Sequence, residues 1–366
     1  MARPGEKKAS SKGKIIIFGI EIVVLLVMLV VLWMVTRTEK VGKVNIDESD
    51  IVINEEVKER LEQEKEKEAE AGEAKKGFRN IALFGVDSTT GALTKNTRSD
   101  VIMIASVNMD TGDVKLCSVY RDTYLNRGND TYNKCNSAYA QGGPEQAMNM
   151  LNMNLDMDIT DFVTIGFAGL TKAIDALGGV DIDVDSAELA HINNYQYTMA
   201  EDLKMSYKEV TKTGMQTLNG LQATAYCRIR YTAGDDFKRA ERQREVLKAA
   251  MDKARKADVA TLTKTANAVF DDNIIYTSLG LEEILDLLKD VSNYQIVGDD
   301  GFPSSEHRTT AKMGGAVGDA VIPMNLYDNV VWLHGFLFDE TDYTPSGEVK
   351  SYSDKIQSDA SKYINK

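Results

Sequence analysis

Residues 226–246 read YCRIRYTAGDDFKRAERQREV and carry five arginines, Arg228, Arg230, Arg239, Arg242 and Arg244, in a chain whose formal net charge is −13. A guanidinium is a planar, permanently charged fork whose paired N–H groups match phosphate oxygens, so the cluster suits a strongly anionic ligand. A solvated helix face would produce the same composition. Helical spacing bears on the choice. In the helix predicted over 236–257, Phe237, Ala240, Leu247 and Met251 form an apolar face. Gln243 falls on that face, with Arg239 one turn before it. A guanidinium and an amide on a core-facing edge require partners, because an unpaired buried charge is costly; a bound phosphate would serve. Lys238 and Arg244 are expected to be solvated, Arg242 stays open between the two settings, and Asp235-Asp236 reads as the start of the helix. Arg228 and Arg230 lie where a helix over 219–229 runs out, a place from which both could point into one cleft. Arg121 follows a predicted strand in YRDT, and Lys134 opens a predicted helix over 134–141.

Two acids complete the constellation. Asp87 ends NIALFGVD, and Asp100 opens DVIMIASV straight after Thr97-Arg98-Ser99. If those strands are adjacent, both carboxylates lie at one rim of a sheet, where oxygen ligands suit Mg2+ completed by phosphate and water. Each acid could instead cap a loop. Arginines and rim acids together point to a magnesium–pyrophosphate site. Other chemistries lack their residues. His191, His307 and His334 show no metalloprotease spacing, and Cys117, Cys135 and Cys227 no CxxC pair, so a zinc hydrolase or a histidine-based triad is poorly supported. The three cysteines are expected to be reduced, packed thiols, with a single disulfide as the alternative. The acidic balance argues against a general nucleic-acid binder.

The elements that must position these groups are read from patterning. The chain has 366 residues, 43% of them hydrophobic, enough for one large domain or two modest ones. Residues 1–14 are basic, with Arg3, Lys7, Lys8, Lys12 and Lys14 against Glu6, and read as a cytoplasmic tail. Residues 15–36 are apolar and long enough to span a bilayer, with Glu21 as a carboxylate inside the span. They read as an uncleaved type II anchor that exports the rest of the chain. Residues 37–77 are highly charged and read as a spacer helix or linker. Short apolar strands are expected at 80–86, 100–107, 114–119, 162–167 and 180–184. Helices are expected at 134–141, 144–155, 170–177, 219–229, 236–257 and 281–291. This alternation predicts an α/β domain over 78–340, a mixed central sheet flanked by helices behind a single amino-terminal transmembrane helix. The stretch 185–215 reads as a surface excursion and 341–366 as a loose polar tail.

The ordered series NIALFGVDS, TRSDVIMI, SVYRDTY, NKCNSAYAQGG, IDALGGVDI, LNGLQATAYCRIRY and GDDFKRAERQREVL, over 79–255, resembles the LytR-CpsA-Psr family of cell-envelope proteins. The resemblance implies a layered domain outside the cytoplasmic membrane. It implies a phosphotransferase of Gram-positive bacteria that moves a glycopolymer from an undecaprenyl-pyrophosphate carrier to peptidoglycan; older family names speak of transcriptional attenuators. By motif, it assigns Asp87 and Asp100 to magnesium. It assigns Arg121, Arg228, Arg230, Arg239 and Gln243 to the pyrophosphate, with Lys134 as a further basic contact. Arg98 matches the arginine before the second acid, with a role in binding phosphate or in organising the acids. The resemblance also implies an apolar tunnel for the polyprenyl chain, lined by the strands and by the 144–177 region. Tyr120 stands where the family often has proline, and Cys135 where it often has an aliphatic residue, which bears on loop shape and polymer choice.

Two other classes remain in play. A polyprenyl-pyrophosphate-binding protein or pyrophosphatase would keep the same site without transfer. A membrane-anchored regulator would need a cytoplasmic basic domain, for which about fourteen residues before the span are too few.

Overall fold

The computed structural model describes residues 42–43, 46–71, 75–87, 93–94, 96–270, 275–280, 283–284, 287 and 290–364. The span expected at 15–36 lies outside them, and among the described residues no helix is long and apolar enough to cross a membrane. The helix expected at 281–291 falls partly outside them as well.

Seven strands build the main sheet: β1 (Gly42–Lys43), β2 (Phe78–Val86), β3 (Ser99–Asn108), β4 (Asp113–Val119), β7 (Asp161–Gly166), β10 (Ile275–Thr277) and β11 (Gln295–Phe302). They pair in the order β1–β10–β7–β2–β3–β4–β11. Strands β2, β4, β7 and β11 share one direction, and β3 and β10 oppose it, so the sheet is mixed as expected. Both faces of the central strands are apolar because both are covered, unlike a half-solvated sheet that alternates apolar and polar. On one face Phe84, Ile102, Ile104 and Val119 pack under α2 (Asn136–Leu155), α8 (Leu326–Phe338) and α9 (Gly347–Ile364). On the other face Leu83, Val101, Met103 and Leu116 meet Leu247 of α6 (Asp235–Lys256).

Beside that second face sits a smaller lobe. Strands β8 (Val180–Val184) and β9 (Gly214–Leu218) pair antiparallel, and α3 (Phe167–Ala176), α4 (Ser186–Leu203) and α5 (Gly220–Tyr226) pack around Ile174, Ile182, Ile192 and Leu221. The stretch 185–215 is therefore not a simple surface excursion. Asp185 caps α4 through a reciprocal box with Glu188, and Ile192 and Met199 are buried. Polar residues hide this helix because few of its positions reach the core.

The helices expected at 134–141 and 144–155 form one element, α2, interrupted at Gly143. That residue has φ +74°, and a Cβ there would lie 2.7 Å from the carbonyl oxygen of Thr94, so glycine is required.

The carboxyl end corrects the expectation of a loose tail. β12 (Arg308–Met313) and β13 (Gly318–Pro323) form a hairpin, and α8 and α9 come after it. Val349, Ile356 and Ala360 of α9 are fully buried in the main core. The charged segment expected as a spacer also docks by its first turns. Its helix, α1 (Glu55–Ala71), begins after buried Asn54, whose amide donates to Asp156 Oδ1 at 2.6 Å. The same buried carboxylate accepts the Ser346 N–H and hydroxyl, both at 2.7 Å.

Candidate functional site

The shared direction of β2, β4, β7 and β11 brings their carboxyl ends to one rim, the place where α/β sheets bind ligands. Val86 pairs with Ser99, so Asp87 and Asp100 stand at that rim on adjacent antiparallel strands. Arg121 lies just past the end of β4 and reaches across the end of β3, its Nη1 2.5 Å from Asp100 Oδ1. Arg230 approaches the other oxygen, Oδ2, at 3.3 Å. Arg239 donates to the Asp100 carbonyl at 3.4 Å from the first turns of α6. Arg228 lies 3.7 Å from Asp87 and stacks over the rings of Phe167 and Tyr195 at 4.4 and 5.4 Å. Gln243, one turn beyond Arg239, donates to the Cys227 carbonyl at 3.3 Å and so ties α6 to the segment that carries Arg228 and Arg230.

Lys134 sits in β6 (Tyr132–Lys134), paired with β5 (Tyr124–Asn126), and not in a helix as expected. Its ammonium is 3.5 Å from Asp122. Arg98 is exposed before β3 and makes no ion pair with the cluster among the described residues. The structure thus brings together Asp87, Asp100, Arg121, Lys134, Arg228, Arg230, Arg239 and Gln243, and leaves Arg98 outside their contacts.

Two acids escaped the sequence reading. Asp236 lies 3.2 Å from Arg239, 3.5 Å from Arg121 and 3.6 Å from Arg230. Asp122 lies between Arg121 and Lys134. The signal for Asp236 was in view as the acidic turn GDD. Gly234 caps α6 in the left-handed region, φ +99°, and that turn aims Asp236 at the arginines as well as starting the helix.

The remaining arginines of α6 divide differently from expectation. Arg244 is buried, bonded to Asp299 at 3.0 Å and to the Ser118 hydroxyl at 2.9 Å, not solvated. Arg242 is 1% exposed and bonded to Glu188 at 2.7 Å. Lys238 is half-buried, with Glu241 as its partner. The middle turns of this helix pack against the sheet, the small lobe and β11 and leave the Glu241–Lys248 edge partly open, so a two-sided helical wheel misplaces Arg244.

Electrostatics distinguish the site from these structural pairs. Burial, with Arg230 and Arg121 adding to it against the attraction of Asp236, pulls the Arg239 guanidinium down to about 10. Burial also works against the Arg121 charge, but Asp100, Asp122 and Asp236 outweigh it and hold that group above its ordinary value. At the rim, Ser99 Oγ and Arg121 Nε are buried polar atoms without a hydrogen-bond partner among the described residues, Arg121 Nε having only long ion-pair contacts, the nearer to Asp236 at 3.5 Å. Buried polar groups left unpaired at a cluster of cations are where a bound anion gains most.

The rim opens into an apolar cavity of about 430 Å³ between the sheet and α3 and α6. Leu83, Met103, Ile165, Leu170, Ala173 and Leu247 line it, and Asp87, Asp100, Arg228, Arg230, Arg239 and Gln243 stand in its wall. The expected lining by strands and by the 163–177 part of the 144–177 region agrees with this. Helix α2 does not contribute, because it covers the opposite face of the sheet. The arrangement suits an amphiphile with a long apolar chain and a multiply charged anionic head.

The three cysteines are free and buried. Burial pushes the Cys227 thiol up to about 12, which makes it a packing group and not a nucleophile. Among the described residues no group of three or more His, Cys, Asp or Glu is arranged to hold a metal. Asp87 and Asp100 therefore suit a hard cation only if phosphate oxygens and water complete its shell, the usual habit of magnesium.

Comparisons with known proteins fit this geometry. The chain is 30% identical over 218 residues to polyisoprenyl-teichoic acid–peptidoglycan teichoic acid transferase TagU of Oceanobacillus iheyensis, covering 57% of this chain and 61% of that protein. Across the first curated relatives the chain spans 53 to 61% of their length. The crystal structure of Bacillus subtilis TagV superposes with a TM-score of 0.57 at 24% identity, covering 74% of this chain and all of that one. The TagT protein YwtF with bound octaprenyl pyrophosphate lipid, also from B. subtilis, superposes with a TM-score of 0.50 at 20% identity, covering 78% and 90%. At those identities the two structures show the shared fold. The family model described as the LytR_cpsA_psr family matches residues 48–310, the region that holds every side chain of the rim, and the chain belongs to that family.

Proposed function

We propose that this protein is a phosphotransferase that moves a glycopolymer from an undecaprenyl-pyrophosphate carrier to peptidoglycan. The observation that supports it most is the continuity of the apolar cavity with the arginine-lined rim. One compartment accepts hydrocarbon and its mouth accepts pyrophosphate, so the ligand is a lipid pyrophosphate and not a free nucleotide or sugar phosphate. The relative's named substrate, a polyisoprenyl-linked teichoic acid, and the neighbour's bound lipid belong to the same chemical class. Residues 15–36 would anchor the protein in the cytoplasmic membrane with its site outside, which raises the effective concentration of a membrane-borne substrate.

The proposed reaction leaves little covalent work to the protein. An acceptor sugar hydroxyl bonds to the phosphorus that carries the glycopolymer, the bond to the polyprenyl phosphate breaks, and the hydroxyl proton passes to a rim carboxylate. Arg121, Arg228, Arg230, Arg239 and Lys134 hold the pyrophosphate and offset charge on the departing phosphate. Gln243 fixes α6 against the segment 227–230, and the Asp100 carboxylate orients Arg121 and Arg230. Magnesium, held by Asp87 and Asp100 together with phosphate oxygens and water, would supply further neutralisation of the pyrophosphate.

The test uses the full chain in detergent with lipid-linked glycopolymer and peptidoglycan fragments, with and without Mg2+. A polymer–peptidoglycan conjugate with release of polyprenyl phosphate is expected. Inorganic phosphate or free polymer without a conjugate would overturn transfer and leave a pyrophosphatase; binding without turnover would leave a lipid-pyrophosphate-binding protein.

A further inference from the structure

A second cleft, about 240 Å³, meets the lipid cavity at the rim. Asp100, Arg239 and Gln243 line both spaces. Arg228 and Arg230 face only the lipid cavity, and Arg121 only the second cleft. The sheet order sets the two spaces apart: the lipid cavity extends from the start of β3 toward β2 and β7, and the second cleft toward the end of β4. Beyond β4 the cleft is closed by the β12–β13 hairpin through Thr310, Asp319 and Val321.

That hairpin is built for a wall. Ala311, Met313, Ala320 and Ile322 of one face enter the main core. Thr310 pairs with Val321 on the other face, and Asp319, two residues from Val321, shares that face. The Val321 N–H donates to the Asp122 carbonyl at 2.9 Å, so the hairpin is fastened to the loop that carries Arg121. Arg308 stacks over Tyr120 and Phe237 at 4.9 and 4.2 Å and donates to the Tyr120 hydroxyl at 3.2 Å. All of the hairpin beyond residue 310 lies outside the family match.

We propose that this cleft is the acceptor-sugar site and that the β12–β13 hairpin sets which acceptor enters, an inference that rests on the phosphotransferase reading above. Phosphoryl transfer places the attacking and leaving oxygens roughly in line through phosphorus. With the polyprenyl phosphate leaving toward the lipid cavity, the attacking hydroxyl must come from the other side, and the second cleft is the space there. Its walls suit a sugar. The carboxylates of Asp122, Asp236 and Asp319 accept hydrogen bonds from hydroxyls, and the Tyr120–Phe237 pair, 4.6 Å between centroids, supplies apolar ring surface. The hydroxyl oxygen bonds to phosphorus and the phosphorus–oxygen bond to polyprenyl phosphate breaks. The proton goes to a carboxylate that lines the cleft.

The test compares the full-length protein with Thr310→Val, Asp319→Asn and the double variant, substitutions of similar shape at exposed positions. Two quantities are measured: KM for a muramyl disaccharide-peptide acceptor in the transfer reaction, and Kd for geranylgeranyl pyrophosphate. The double variant is expected to raise acceptor KM about tenfold while lipid Kd stays within about twofold. An unchanged acceptor KM with transfer intact overturns the acceptor assignment alone, as does a lipid Kd that moves in step with KM. A wild-type protein that forms no conjugate overturns the phosphotransferase reading and takes the acceptor site with it.

Discussion

Arg121 and Asp100 come from the ends of neighbouring antiparallel strands and meet at 2.5 Å, with Arg230 on the second carboxylate oxygen at 3.3 Å. One acid thus holds two arginines, from β4 and from the segment after α5, in a single orientation. The carboxylate acts as a jig for cations whose own neighbours would otherwise push them apart.

Arg121→Ala should reduce transfer by about 10²–10³-fold, the effect of losing one preorganised donor to developing charge. Its side chain is one-fifth exposed and lies outside the main core, so the variant should fold. Transfer rates alongside a thermal melt check this; an unchanged rate in a folded variant removes Arg121 from the site.

Ala173→Phe should discriminate the two halves of the ligand. Ala173 lines the apolar cavity from α3, and a phenyl ring there fills space that the proposed polyprenyl chain would occupy. Affinity for a long-chain pyrophosphate should fall at least about tenfold, while inorganic pyrophosphate binds as before. Calorimetric titration with both ligands measures the difference.

Arg239→Met should make the ligand-free protein more stable and the ligand-bound protein less so. The residue is 4% exposed, and burial beside Arg230 and Arg121 holds its pKa at about 10. A base whose folded pKa is depressed binds fewer protons folded than unfolded between that value and its ordinary one. Its charged form therefore opposes folding throughout the range below pH 10, and relief comes only as pH rises above it. Substitution removes the penalty at neutral pH. Thermal melts with and without lipid pyrophosphate should show a higher Tm for the free variant and a lost ligand-induced shift.

Asp299→Asn should destabilise the fold by about 2 kcal/mol at pH 7 and much less at pH 3. Burial raises this carboxyl, but the hydrogen bonds from Lys248 and Arg244 outweigh it and hold the group below its ordinary value. Its contribution is present above the unfolded pKa and disappears as pH falls through the folded one. Urea melts of both proteins across that range test it; a difference independent of pH would contradict the assignment.

Much of the sheet and most of the rim were legible in the sequence. Short apolar strands bounded by turns gave β2, β3, β4, β7 and β8 within a residue or two, and the rim acids fell where those strands end. Several of the features missed depend on partners distant in sequence. Arg244 reads as solvated until β11 delivers Asp299. Helix α9 looks polar because Val349, Ile356 and Ala360 are few, yet each is fully buried against α2 and the hairpin. Asp236 announced itself in the GDD turn, but a helix start explained it adequately until three arginines were seen around it.

The buried Asp156 carboxylate has a mechanical meaning. By gripping Asn54 and Ser346 together, it clamps the entry to α1 and the approach to α9 against the end of α2. Whatever lies ahead of that clamp, the stand-off between residue 54 and the cavity mouth is set by folded structure rather than by the wandering of a loose string. The domain is mounted on a bracket, and a lengthened or shortened bracket would re-aim the mouth.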